Sequence, residues 1–232
     1  MKIFVYSHAE RLDYIKPPYY FLHESEVKIT GDSGHYYSDL NACKHIYINF
    51  KNEDYLGVWQ YRKWLLNPAT GNLFSEASLQ ALFEYLQGEC KVVVSKPYRH
   101  VSIAKQFIEA HGKAMWDFLE NLIKKMHPDF YKYWGIFMEE ERDFYIANLY
   151  AANNKFFMNY HSWLFDILDE VDKNLDYKTG RDFYQQRVPG YFAERLFNLY
   201  LRVTKATFVL SDSNIFEATA DTGEKRLRFP KN

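Results

Sequence analysis

Cysteine is nearly absent. Only Cys43 and Cys90 occur in 232 residues, in separate predicted elements, so neither a disulfide framework nor a zinc-ligand spacing can be built. Both read as reduced, buried thiols. No stretch approaches the ~20 apolar residues of a membrane-spanning helix, and the apolar run in Met1–His8 is too short for a secretory leader. A cytoplasmic chain is expected, with peripheral association at the inner face of the membrane left open. An excess of one charge is missing too: 29 Lys and Arg stand against 30 Asp and Glu, a net charge of −1. That balance excludes nucleic-acid binding by bulk charge, because no basic surplus exists to release counterions. With 47% hydrophobic and 25% charged residues the chain is not a disordered tail. No internal repeat or low-complexity linker divides it, so residues 1–232 read as one domain. The common chemical signatures are also lacking: no Gly-rich phosphate loop, no Gly-x-Ser-x-Gly elbow, no His-Glu-x-x-His. Histidines are scattered, and no Asp-x-Asp pair occurs.

What the chain has in excess is aromatic residues: 20 Tyr, 19 Phe and 5 Trp, 19% of the total. Large apolar bodies with a polar tip suit cores, interfaces and sugar or base stacking, and composition does not choose among these. Ile3–Tyr6 reads as a first buried strand that delivers Ser7 and His8 to a sheet edge. Pro17-Pro18 and Tyr19-Tyr20-Phe21 follow as a loop without clear period, and Thr30–Gly34 is a turn. Leu40, Cys43, Ile46, Tyr47 and Phe50 have helical spacing. Tyr55–Trp59 reads as a second strand and Val92–Val94 as a third, with a helix on Leu79, Leu82, Phe83 and Leu86 between them. Trp116–Met126 is a helix closed by His127-Pro128. Tyr145–Ala151 fits either a strand or a buried helical turn. Phe156–Leu175 carries a continuous apolar helical stripe, and Phe183–Val203 a further helical region interrupted near Pro189-Gly190. The order predicts an α/β fold with a helical second half.

Open α/β sheets bind ligands beyond the carboxyl ends of their strands. There the second strand runs into Tyr61, Arg62 and Lys63. Two cations can hold a diphosphate without a metal, because a guanidinium matches phosphate oxygens in fork geometry; a solvated basic turn is the other reading. Lys96 follows the third strand as a further cation. Lacking Asp-x-Asp, the chain gives no certain cofactor, and donor binding is expected to survive metal chelation; a divalent cation on Asp32, Asp39 or Asp54 stays open. Glu194-Arg195 lies among Tyr191, Phe192, Leu196 and Phe197. A carboxylate so desolvated can serve as a general base, or the two residues can form an ion pair that only fixes packing.

These segments, in order over nearly the whole chain, resemble the bacterial capsular and exopolysaccharide biosynthesis glycosyltransferases first catalogued as a domain of unknown function. The likeness lies in the Ile3–His8 strand, the Gly31-Asp32 turn, Asp39-Leu40-Asn41-Ala42, and Asp54-Tyr55-Leu56-Gly57-Val58-Trp59-Gln60-Tyr61-Arg62-Lys63. It continues in Val92–Pro97, Trp163–Leu168, and Tyr184-Gln185-x-Arg187-x-x-Gly190-x-x-x-Glu194-Arg195-Leu196. Gln60 departs from the pattern, standing where the family has His; the segment after Thr204 has little counterpart. The resemblance implies a single GT-A-like, Rossmann-like domain with a mixed sheet. It implies transfer from a nucleotide sugar, UDP-galactofuranose or another UDP-hexose, to a capsule, O-antigen or exopolysaccharide glycan, free or lipid-linked. The nucleotide sugar is then expected among Ser7, His8, Asp32, Tyr61, Arg62, Lys63, Lys96, Arg187 and Arg195. Glu194 is the expected catalytic base and Asp39 its runner-up, which could instead bind sugar or cap the helix that follows. A non-catalytic sugar-binding or scaffold subunit is the competing class.

Overall fold

The computed structural model describes residues 2–7, 19–27, 34–60, 63–86, 91–99, 101–211, 213–217 and 226–228. The expected site residues His8, Asp32, Tyr61 and Arg62 lie outside them, as does Cys90.

A mixed nine-stranded sheet organises the chain. Strand β1 (Lys2–Ser7) lies between β2 (Tyr19–His23) and β3 (Tyr55–Gln60), parallel to both. Strand β8 (Tyr150–Asn153) runs antiparallel between β3 and β5 (Lys91–Ser95), and β9 (Thr207–Ser211) adds in parallel beyond β5. From the end of β3 the chain turns into β4 (Lys63–Leu65), which carries β10 (Ser213–Glu217) and β11 (Arg226–Arg228). A separate ribbon pairs β6 (Tyr98–Arg99) with β7 (Asp143–Phe144). Since β3 and β5 both oppose β8, they are parallel to each other. Ser7, His23, Gln60, Ser95 and Ser211 therefore end their strands at one edge, and β8 enters from that edge.

The central strands read as unbroken apolar runs because both sheet faces are covered. On one face Phe4, Tyr6, Leu56, Val58, Val92, Val94, Tyr150 and Ala152 pack with the helices α2 (Leu40–Asn49), α7 (Asn154–Asn174) and α8 (Val188–Val203). On the other, Ile3, Val5, Trp59, Val93 and Ala151 pack with Trp64 and with Leu79 and Phe83 of α3 (Glu76–Tyr85). Gly57 belongs to this second face. A Cβ there would stand 2.5 Å from Ile3 Cδ1 and 3.0 Å from Ala151 Cβ, so any side chain would wedge β3 away from its neighbours. The remaining α-helices among the described residues are the short α1 (Gly34–Tyr37), α4 (Ile103–His111), α5 (Lys113–Met126) and α6 (Pro128–Tyr131). Gly112, at φ 92°, makes the break between α4 and α5.

The sequence reading needs correction at three places. Tyr19–Phe21 is strand, not loop: its backbone pairs with β1 residue for residue, and backbone pairing imposes no side-chain period of its own. The 145–151 run divides, with only its end in β8 and irregular backbone before it. Pro189 begins α8 instead of interrupting a helix, since its missing N–H is unneeded in a first turn. The segment after Thr204, which has little counterpart in the family pattern, supplies the strand β9 beside β5. Much of the aromatic surplus is core: Tyr150, Tyr160, Phe197, Tyr200 and Trp163 contact one another between β8, α7 and α8.

Candidate functional site

Two carboxylates meet beside the carboxyl edge. Asp39 stands just before α2 but makes no capping hydrogen bond to it. Its Oδ2 instead accepts from Gln60 Nε2 at 2.9 Å. Burial pushes the Asp39 carboxyl up from 3.8 to about 6; the Gln60 hydrogen bond opposes this, the Glu194 charge reinforces it, and Arg187 opposes it.

Glu194 projects from the middle of α8. One oxygen accepts from the Ala147 N–H at 3.0 Å and the other from Arg195 Nη1 at 2.9 Å. Four residues on, and so on the same helix face, Asn198 pins the irregular stretch before β8. Its Oδ1 accepts from the Tyr145 N–H and its Nδ2 donates to the Tyr145 carbonyl, both at 2.8 Å. That pairing presents Ala147 to Glu194. Ala147 and Asn148 take φ of 72° and 45°, and Ser38, beside Asp39, takes 50°. Left-handed backbone at non-glycine residues costs about 1–3 kcal/mol each and gathers at sites whose surroundings over-determine it.

The cations divide by partner. Arg195 is 2% exposed, lies over the rings of Phe107 and Phe144, and donates to Glu194, the Tyr191 carbonyl and Gln106. Of the two functions the sequence reading allowed it, orienting Glu194 is the one its contacts serve. Arg187 donates to Ser38 Oγ at 2.8 Å. Lys63 differs: it is 8% exposed, its Nζ lies 5.5 Å from the Tyr98 ring centroid, and no carboxylate pairs with it among the described residues. Burial lowers its pKa, opposed by the charge of Glu194. A desolvated ammonium of this kind is suited to receive an anion. Ser7 is buried at the end of β1, and Lys96 is exposed directly after β5; both lie on the same edge. Two more buried polar atoms at this edge, Ser95 Oγ and Asn148 Oδ1, have no hydrogen-bond partner among the described residues.

The structure thus gathers Asp39, Glu194, Lys63, Arg187 and Arg195, and adds Gln60, Ala147 and Asn198, which the sequence reading did not select. Gln60 was visible as a departure from the family pattern. Ala147 carries no sequence signal at all, because it acts through its backbone. Among the described residues no three His, Cys, Asp or Glu side chains converge as a metal site, and no helix is long and apolar enough to cross a membrane.

A raised Asp39 makes a stability prediction. Between pH about 4 and 6 the folded chain keeps a proton that the unfolded chain has released, so stability falls as pH rises through that window and stays lower above it. Asp39→Asn is expected to raise the unfolding free energy at pH 7–8 by about 1–3 kcal/mol and leave it unchanged below pH 4. Urea melts at the two pH values check this.

The model of the family described as "Domain of unknown function (DUF4422)" matches residues 20–205. Among solved structures, the apo structure of WbbM, a bifunctional glycosyltransferase, matches with a TM-score of 0.73 at 18% identity, over 91% of this chain and 44% of that one. The chain thus spans less than half the length of that protein. At this identity the likeness is one of fold: the chain shares its mixed α/β architecture with that protein. No curated protein sequence matches the chain.

Proposed function

Because the chain belongs to the DUF4422 family and shares its fold with a glycosyltransferase, we propose that it transfers a sugar from a nucleotide diphosphate sugar to a glycan hydroxyl. The observation that carries this reading is the juxtaposition of a buried, anion-seeking Lys63 with two carboxylates at the edge where α/β sheets bind nucleotides. Lys63 receives the diphosphate, with Arg62 beside it in sequence and Ser7, His8, Asp32 and Lys96 around the nucleotide. Ser95 Oγ and Asn148 Oδ1, without hydrogen-bond partners among the described residues, are offered to sugar hydroxyls. The acceptor oxygen attacks the anomeric carbon as the bond from that carbon to the diphosphate oxygen breaks. Glu194 takes the hydroxyl proton, and the nucleoside diphosphate leaves with the bonding pair, its charge met by Lys63. A UDP-hexose or UDP-galactofuranose donor and a bacterial surface glycan as acceptor, free or lipid-linked, complete the proposal.

The test begins with UDP, GDP, CDP and dTDP titrated against the full chain, since a bound ligand stabilises by mass action. Lys63→Met is expected to weaken the best of these roughly 10- to 100-fold, the worth of one charge-assisted hydrogen bond. Calorimetry giving equal affinity for both proteins removes Lys63 from the donor site. A chain that binds nucleotide sugars but neither transfers nor hydrolyses them is a scaffold instead.

A further inference from the structure

Gln60 closes β3 at the carboxyl edge, and its side-chain nitrogen sits between acceptors from two other parts of the chain. It donates to Asp39 Oδ2 at 2.9 Å and to the Ala147 carbonyl at 3.1 Å, which engages both of its hydrogens. Ala147 passes the arrangement on, its N–H donating to Glu194 Oε1 at 3.0 Å. One line of hydrogen bonds therefore joins Asp39, Gln60, Ala147 and Glu194. Its middle is a left-handed, non-glycine turn pinned from behind by Asn198.

We propose that Gln60 is a positioning residue: its amide fixes Asp39 against the turn at Ala147 and so presents Asp39 and Glu194 as one charged, pre-arranged pair. This deepens the transferase reading and rests on it. Asp39 is buried and Glu194 partly so; two like charges near one another there repel, and one of them would normally take a proton. Here each carboxylate accepts a donor that cannot titrate, an amide for Asp39 and a peptide N–H for Glu194. An imidazole at position 60 would donate in a manner that changes with pH; the glutamine removes that dependence.

The groups facing Asp39 come from every element packed around it. They are Glu194 of α8, Arg187 before α8, Tyr6 of β1, Cys43 of α2 and Tyr160 of α7. Burial raises Tyr6, Cys43 and Tyr160, so these stay neutral, and among the described residues the charges acting on Asp39 are those of Glu194 and Arg187.

The experiment follows the Asp39 carboxyl carbon by NMR in the full chain labelled at aspartate, the resonance assigned by its loss in Asp39→Asn. Gln60→Leu removes the donor at similar volume and is expected to move the midpoint upward from about 6 by roughly one pH unit. Gln60→Glu, which keeps the shape but adds a third carboxyl, is expected to move it further up. Gln60→His restores a ring N–H and is expected to bring it back down. A midpoint that stays in place in Gln60→Leu, or in Gln60→Glu should the leucine variant not fold, overturns the proposal. Hydrolysis of the best-binding nucleotide sugar against pH gives a separate readout, whose acid limb should move with the NMR midpoint. Complete lack of turnover would count against the transferase reading and leave the NMR result to judge Gln60.

Discussion

Replacing Glu194 by Gln should reduce sugar transfer by roughly 10²- to 10⁴-fold, the scale for losing a general base, while nucleotide-sugar affinity stays nearly unchanged. The asymmetry follows from what Glu194 touches. Its oxygens meet the Ala147 N–H and the Arg195 guanidinium, not the buried Lys63 ammonium assigned to the diphosphate. The substitution therefore removes the basicity that the proposed transfer uses and leaves the proposed diphosphate contact in place. An amide also has one oxygen where two donors converge, so the variant turns an NH₂ toward one donor and loses stability, by about 1–2 kcal/mol. Glu194→Asp keeps the charge, shortens the reach, and should recover binding of Arg195 better than turnover. Single-turnover assays beside donor titrations separate the two effects. Normal turnover in Glu194→Gln would leave the ion pair with Arg195 as the residue's whole purpose.

The largest stability loss is expected at Arg195. Its guanidinium is buried between Phe107 and Phe144 and donates in three directions, to Glu194, to the Tyr191 carbonyl and to Gln106. Arg195→Met preserves length and apolar contact but takes the guanidinium donor from all three acceptors. Breaking a buried pair from one side costs about 3–5 kcal/mol. Glu194 retains some exposure, with 24% of its side-chain surface open, which places the expected loss near the lower end, about 3 kcal/mol. Arg195→Lys should recover only part of it, because one ammonium cannot reproduce a planar fork aimed at several acceptors. Urea denaturation of the three proteins reads the result. A loss below about 1 kcal/mol, the ordinary worth of an exposed pair, would mean that the pair is solvated and does not fix Glu194.

Several elements were legible because the residue pattern and the packing say the same thing. The apolar runs at 3–6, 55–59 and 92–94 are strands covered on both faces. The stripe from Phe156 to Leu175 is one continuous helix, and the arrest at His127-Pro128 is the end of α5. The ordered motifs around Asp54–Lys63 and Tyr184–Leu196 include Gln60, Lys63, Arg187, Glu194 and Arg195 of the candidate site. β2 was not legible, since its strand character comes from pairing with β1. β9 was not either, because its partner is β5, more than a hundred residues earlier in the chain.

By itself, then, the sequence determined the α/β class, most central elements and the family, and it named Asp39, Glu194, Arg187, Arg195 and Lys63 as the groups able to do chemistry. It did so because periodicity and side-chain type are local properties. The tertiary structure alone decided which of these groups meet, and in what state. It turned Asp39 from a cap into a desolvated carboxylate held by Gln60, turned Arg195 toward Glu194, and left Lys63 buried without a carboxylate partner among the described residues. It also recruited Ala147 through its backbone, in a left-handed conformation that no alanine announces. Proximity, burial and backbone direction depend on residues distant in the chain, and those are the quantities that set charge and reactivity.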